Sequence, residues 1–148
     1  MIHLLASLCF TLLPFSKSEY FNVIADGSSS EVKSLIATIE SQDAGNERNA
    51  YLGALKMKRA GQLSSAAEKL ELFKAGKTLL ETAISNDHTN VEYRFLRLII
   101  QENSPKFLGY SDCIQADAKK VKAGYSNLSS SVKNAIITYA KTSKNLKL

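Results

Sequence analysis

The sequence predicts an all-α fold, and three observations carry that prediction. Apolar residues recur at helical spacing in six successive stretches between Val32 and Ala140. Only 2 Pro and 7 Gly interrupt the 148 residues. Aromatic residues make up 8% of the chain, and Val and Thr are too sparse for a sheet-rich fold. Hydrophobic residues at 45% and charged residues at 22% describe an ordinary globular protein, and the length sets one domain.

The first stretch has a different character. Met1 to Phe15 carries no Asp, Glu, Lys or Arg and is rich in Leu, Phe and Ile, and Pro14 closes it. It is too short to span a bilayer as a helix. Ser16-Lys17-Ser18 puts small residues at −3 and −1 of a cut before Glu19. This is the layout of a secretory signal, with His3 standing where Lys or Arg is usual. The expected organisation is therefore a signal peptide over 1–18 and a helical domain over 19–148. Two alternatives remain: a lipoprotein signal using Cys9, although Leu8 precedes it, and an N-terminal core helix that is retained. If the signal leaves, Cys9 goes with it and Cys113 is a lone thiol without a cationic neighbour in sequence.

Each helix of the domain has its own punctuation. Ser28 and Glu31 stand at capping-box spacing, and Val32, Leu35, Ile36 and Ile39 follow on one face to about Ser41. A second helix runs from about Glu47 to Arg59, ended by Gly61. A third opens at Ser65 with Glu68 and carries Leu72, Phe73, Gly76, Leu80 and Ala83 to about Asn86. Asp87 to Asn90 is a turn, and Asn90 is a good N-cap for the fourth helix, Val91 to Asn103. That helix is apolar on most sides, as a covered helix is. Pro105 breaks the chain, and Lys106 to Tyr110 reads as a connection. A fifth helix runs from Ser111 to Ala123 and ends at Gly124; a sixth starts at Ser129 or Ser130. The tail from Lys144 to Leu148 is expected to fray. Six helices with short connections pack naturally as three antiparallel pairs.

Residues 47–90 resemble a tetratricopeptide repeat. Leu52-Gly53 is similar to the Leu-Gly pair of that family's first helix. Gly76, Leu80 and Ala83, followed by Asp87-His88-Thr89-Asn90, are similar to the small, bulky, small pattern and turn of its second helix. His88 stands where the family has proline, the chain has no Trp, and Gly53 to Gly76 is a longer interval than the family's. The resemblance implies helical pairs stacked in the manner of an α-solenoid, with one surface that binds peptide or protein segments. It implies no chemistry.

Chemistry-bearing constellations are scarce in the sequence itself. His3 and His88 are the only histidines, and no His or Cys lies at ligand spacing, so neither a metal nor a cofactor is expected. Gly76-Lys77-Thr78 has Glu71 where a phosphate loop needs glycine and falls within a helix. Paired carboxylates chosen from Glu92, Glu102, Asp112 and Asp117 are the residual route to an enzyme, an envelope-associated hydrolase. The formal charge of +5 is uneven: from Pro105 to Leu148 eight Lys stand against two Asp, which gives +6. Those lysines lack the Arg and aromatic interleaving of nucleic-acid grooves, so no nucleic acid is expected. Lys106, Lys119, Lys120, Lys122, Lys133 and Lys141 on one face would instead suit anionic lipid or polysaccharide, with peripheral membrane contact at most.

One polar group stands out. Arg94, Arg97 and Gln101 fall at i, i+3 and i+7, a stripe on the otherwise apolar fourth helix. Such a stripe meets carboxylates of a partner, pairs internally with acids such as Glu68, Glu71 or Glu102, or is simply exposed along the helix edge. The expected function is therefore an exported, non-catalytic protein-interaction module. Its partner is a protein or peptide, acidic where Arg94, Arg97, Gln101, Lys119, Lys120 and Lys122 form the contact surface.

Overall fold

The computed structural model describes residues 15–148. Within them the chain is all-helical: α1 (Lys17–Asp26), α2 (Ser29–Glu40), α3 (Asn46–Gly61), α4 (Ala66–Asn86), α5 (Val91–Asn103), α6 (Ile114–Gly124) and α7 (Ser130–Ala140). Two 3₁₀ turns, Lys106–Leu108 and Tyr125–Asn127, join α5 to α6 and α6 to α7. The described residues thus hold seven α-helices where six were expected.

The additional helix is α1. Ser16 caps it by accepting from the Glu19 amide at 3.0 Å, and Tyr20, Phe21 and Ile24 bury one face. Most of the expected signal, residues 1–14, lies outside the described residues. The expected cut before Glu19 falls in the first turn of α1. It would remove Ser16, Ser18, the buried Phe15 ring and Lys17, whose ammonium pairs with Glu92 at 2.8 Å.

Sequence neighbours pack antiparallel. Arg48 at the start of α3 donates to the Ile39 carbonyl at the end of α2, while Gln62 just past α3 donates to Gly27 before α2. The α3/α4 pair is the most extensive helix contact among the described residues. Asn46 at the start of α3 donates to Ala83 O near the end of α4 at 2.9 Å, and between these ends Gly53 crosses Gly76. A Cβ on either glycine would lie 2.6 Å from the other's carbonyl oxygen, so the two backbones touch where only glycine fits. α5 and α6 form a third antiparallel pair, and α1 packs against α7, α2 and α3.

The core is contiguous. Tyr20 and Tyr51 meet edge to face with ring centroids 4.4 Å apart, and the Tyr20 hydroxyl donates to Tyr51 O. Phe95, buried on α5, links Phe21 of α1 to Tyr139 of α7 through ring contacts of 5.4 and 5.7 Å.

The tail does not fray. Leu146 is 0% exposed and Ser143 is buried, because the Glu102 carboxylate gathers the segment. It accepts from the Tyr139 hydroxyl at 2.5 Å, from Ser143 Oγ at 2.7 Å and from the Asn145 amide at 3.1 Å. Burial alone would raise the Glu102 pKa, but these donors outweigh it and hold the carboxyl below its ordinary value. A carboxyl with a depressed folded pKa contributes stability above its unfolded pKa, lost as pH falls through the folded one. Glu102→Ala is therefore expected to cost about 1–2 kcal/mol at neutral pH, and to flatten the loss of stability on acidification. Denaturant midpoints at neutral and acid pH, with amide exchange at Leu146, check this. A tail as protected in the variant as in the parent would count against it.

Candidate binding groove

The arginine stripe of α5 is placed inside the molecule. Arg97 is 4% exposed and Gln101 3%. Arg97 grips the fully buried Asp117 of α6 with two bonds, Nε to Oδ2 at 2.6 Å and Nη2 to Oδ1 at 2.9 Å, a bidentate fork. Its remaining arm reaches Glu81 of α4 at 2.8 Å. Arg94 meets Asp117 Oδ1 at 3.4 Å and donates to the His88 carbonyl. Gln101 accepts from the Cys113 amide at the start of α6. Burial disfavours the charged Arg97 guanidinium, but the hydrogen bonds and charge of Asp117, joined by Glu81, hold its pKa above the ordinary value. The acids that neutralise the stripe are thus Asp117 and Glu81 instead of Glu68, Glu71 or Glu102. These contacts pin α4, α5 and α6 together.

The candidate carboxylates are spread over separate partner sets. Glu102 holds the tail, Asp117 lies under the arginines, and Asp112 is exposed. Glu92 lies between α1 and α5 beside Lys17, and burial raises its pKa despite that ammonium. Lys119, Lys120 and Lys122 are exposed on α6, as are Lys106 and Lys141 on their own segments. His88 is exposed in the turn before α5. Among the described residues no helix is long and apolar enough to cross a membrane.

What the helices build together is an apolar groove of about 1090 Å³. Two long edges line it, Ser18 to Asp26 on α1 and Ser131 to Thr142 on and just past α7. Phe95, Ile99 and Ile100 of α5 and Phe73 of α4, all buried, back it. Its mouth carries apolar side chains in water. Phe107, in the 3₁₀ turn between Pro105 and Gly109, is 87% exposed, and Leu70 of α4 is 43% exposed. Exposed apolar side chains beside an apolar groove are a common mark of an interaction site. The remaining lining is hydroxyls, amides and few charges: Asn22, Asn103, Asn134 and Thr138 on the rim, with Lys58, Lys69 and Asp26.

The groove rests on rigid parts. The Phe21, Phe95 and Tyr139 rings interlock behind it, and Glu102 fixes the Tyr139 hydroxyl. None of its residues was among the expected contact residues. A local signal did exist in Phe107-Leu108, an apolar pair in a connection bounded by Pro105 and Gly109.

No family model matches the chain, and no curated protein or solved structure matches it.

Proposed function

We propose that this chain is an exported, non-catalytic helical binding module that takes an amphipathic helix of a partner protein in the groove. The observation that carries the reading is the groove itself, with Phe107 exposed at its mouth. At 1.5 Å per residue, the edge along α1 is about 12 Å long and that along α7 about 16 Å, two to three helical turns of a guest. A volume of about 1090 Å³ lies just above the range of small-molecule sites and suits the apolar face of a helix. Amide and hydroxyl groups on the rim suit the polar flanks of such a guest.

Two further features accord with the reading. The close crossing of Gly53 and Gly76 supports taking residues 47–90 as a single tetratricopeptide-like helix pair. The uncharged apolar run before Pro14 supports export. The exposed Lys119, Lys120 and Lys122 favour an acidic partner, and a contact there weakens with salt.

Phe107 makes a clean test because the fold does not use it. Phe107→Ser is expected to leave the melting transition within about 0.5 kcal/mol of the parent. It is expected to weaken binding of an amphipathic helical peptide about tenfold, the loss typical of an aromatic anchor. Calorimetric titration of both proteins with the same peptide decides it, and equal affinities would speak against the groove.

A further inference from the structure

The groove has two unlike ends, and the difference predicts what its guest carries. This inference rests on the proposed use of the groove and adds the chemistry of the occupant. α1 sets the axis, since both Ser18 at its start and Asp26 at its end line the groove. At the Ser18 end no charged residue is in the lining, and α7 contributes only Asn, Ala, Thr, Ser and Tyr along its whole edge. The Asp26 end is where the charge gathers. Lys58 of α3 reaches the Ala25 carbonyl there at 3.1 Å, and Lys69 in the first turns of α4 lines the same groove.

Like most cations of the chain, and unlike Lys17, Lys56, Arg94 and Arg97, neither Lys58 nor Lys69 holds a carboxylate within 4.0 Å among the described residues; what sets these two apart is that they line the groove. Asp26 is the one acid in the lining and leaves two cations against one anion. Lys58 is half-buried, and desolvation lowers its pKa although the charge of Asp26 opposes this. A half-desolvated ammonium that holds one carbonyl and no carboxylate has room for a carboxylate from outside.

Two helices, α1 and α3, end at this place, and several of their last carbonyls are engaged: Val23 O by the Gly27 amide, Ala25 O by Lys58, and Ala60 O by the Leu63 amide, with Gly27 O just past α1 taken by Gln62. The 21-residue α4 begins here, with Ala66 in the lining and Ser65 accepting only from the Glu68 amide. Its first-turn amides thus present the positive end of a long helix to the groove. Glu68, the acid of that turn, is not among the lining residues.

We propose that the groove selects a guest helix carrying a carboxylate at the end that lies over Lys58, Lys69 and the first turn of α4. The apolar face supplies the affinity, and the carboxylate sets the direction in which the guest lies.

The test uses the full chain and three synthetic amphipathic peptides of about 12 residues, the length of the α7 edge. They are identical save for one terminal position, which is Glu, Gln or Lys. The Glu peptide is expected to bind about three- to tenfold more tightly than the Gln peptide at low salt, and the Lys peptide more weakly than either. The gap should narrow in about 0.5 M salt. Lys69→Glu in the full chain should reverse the order of the Glu and Lys peptides. Lys69 is exposed, so this variant keeps its fold. Three equal affinities, all lost on Phe107→Ser, would overturn the carboxylate selection while leaving the groove as the binding site. No measurable binding of any peptide would overturn the groove reading and this inference with it.

Discussion

Replacing Gly53 by alanine should destabilise the protein by about 2–4 kcal/mol, although alanine is the better helix former. The added Cβ lies 2.6 Å from Gly76 O and 2.7 Å from Leu80 N. Both are backbone atoms, so no rotamer change relieves the clash, and α3 and α4 have to move apart. That movement loosens the largest helix contact in the fold, including the Asn46 bond to Ala83 that joins its far end. The gain in helix propensity, about 1 kcal/mol, is smaller than the strain. Gly76→Ala should behave alike, since its Cβ meets Gly53 O at 2.6 Å. Gly61→Ala is the control: nothing lies within 4 Å of its Cβ, and the substitution should be neutral or stabilise by up to about 1 kcal/mol. Denaturant midpoints separate the three, and a Gly53→Ala protein as stable as Gly61→Ala would refute the crossing.

The second large effect is at Asp117. Asp117→Ala should cost about 3–5 kcal/mol, because it strands Arg97 with most of its guanidinium buried. Glu81 still reaches one arm of Arg97 but is itself a third exposed, so it cannot replace the buried fork. Arg94 loses its one carboxylate as well. The pair as a whole is worth much less than this, since both charges were desolvated to make it. Combining Asp117→Leu with Arg97→Met should therefore recover a large part of the loss. Thermal melts of the single and double variants give the sign, and a double variant less stable than Asp117→Ala would contradict the account.

Legibility in the sequence followed the range of the interactions. Helices from Ser28 onward announce themselves through local signals, and the Ser28–Glu31 capping box and the Asn90 cap both form. α1 carried a local signal too, Ser16 three residues before Glu19, but the same serine reads as the −3 position of a signal cut. Nothing local in the tail marks it as ordered, because Glu102, some forty residues earlier, holds it. The arginine stripe was visible as a pattern, yet which acids meet it depends on the register of α5 against α6, which places Asp117 and not Glu102 beneath Arg97. The groove was the least legible feature. Each of its helices contributes a few residues that read as ordinary core, and only their assembly leaves a space between them.

The central claim is that the groove is where a partner helix lies, and methyl chemical shifts test it most directly. The full chain, labelled at Ile, Leu, Val and Met methyls, is titrated with the Glu-bearing amphipathic peptide. Shifts are predicted at Ile24, Met57, Leu70, Ile99 and Leu108, which line the groove, with Val32, Leu55 and Ile136 in the core elsewhere unmoved. Shifts confined to residues remote from the groove, such as Ile114 and Val121 on lysine-bearing α6, or no shifts at saturating peptide, would contradict it.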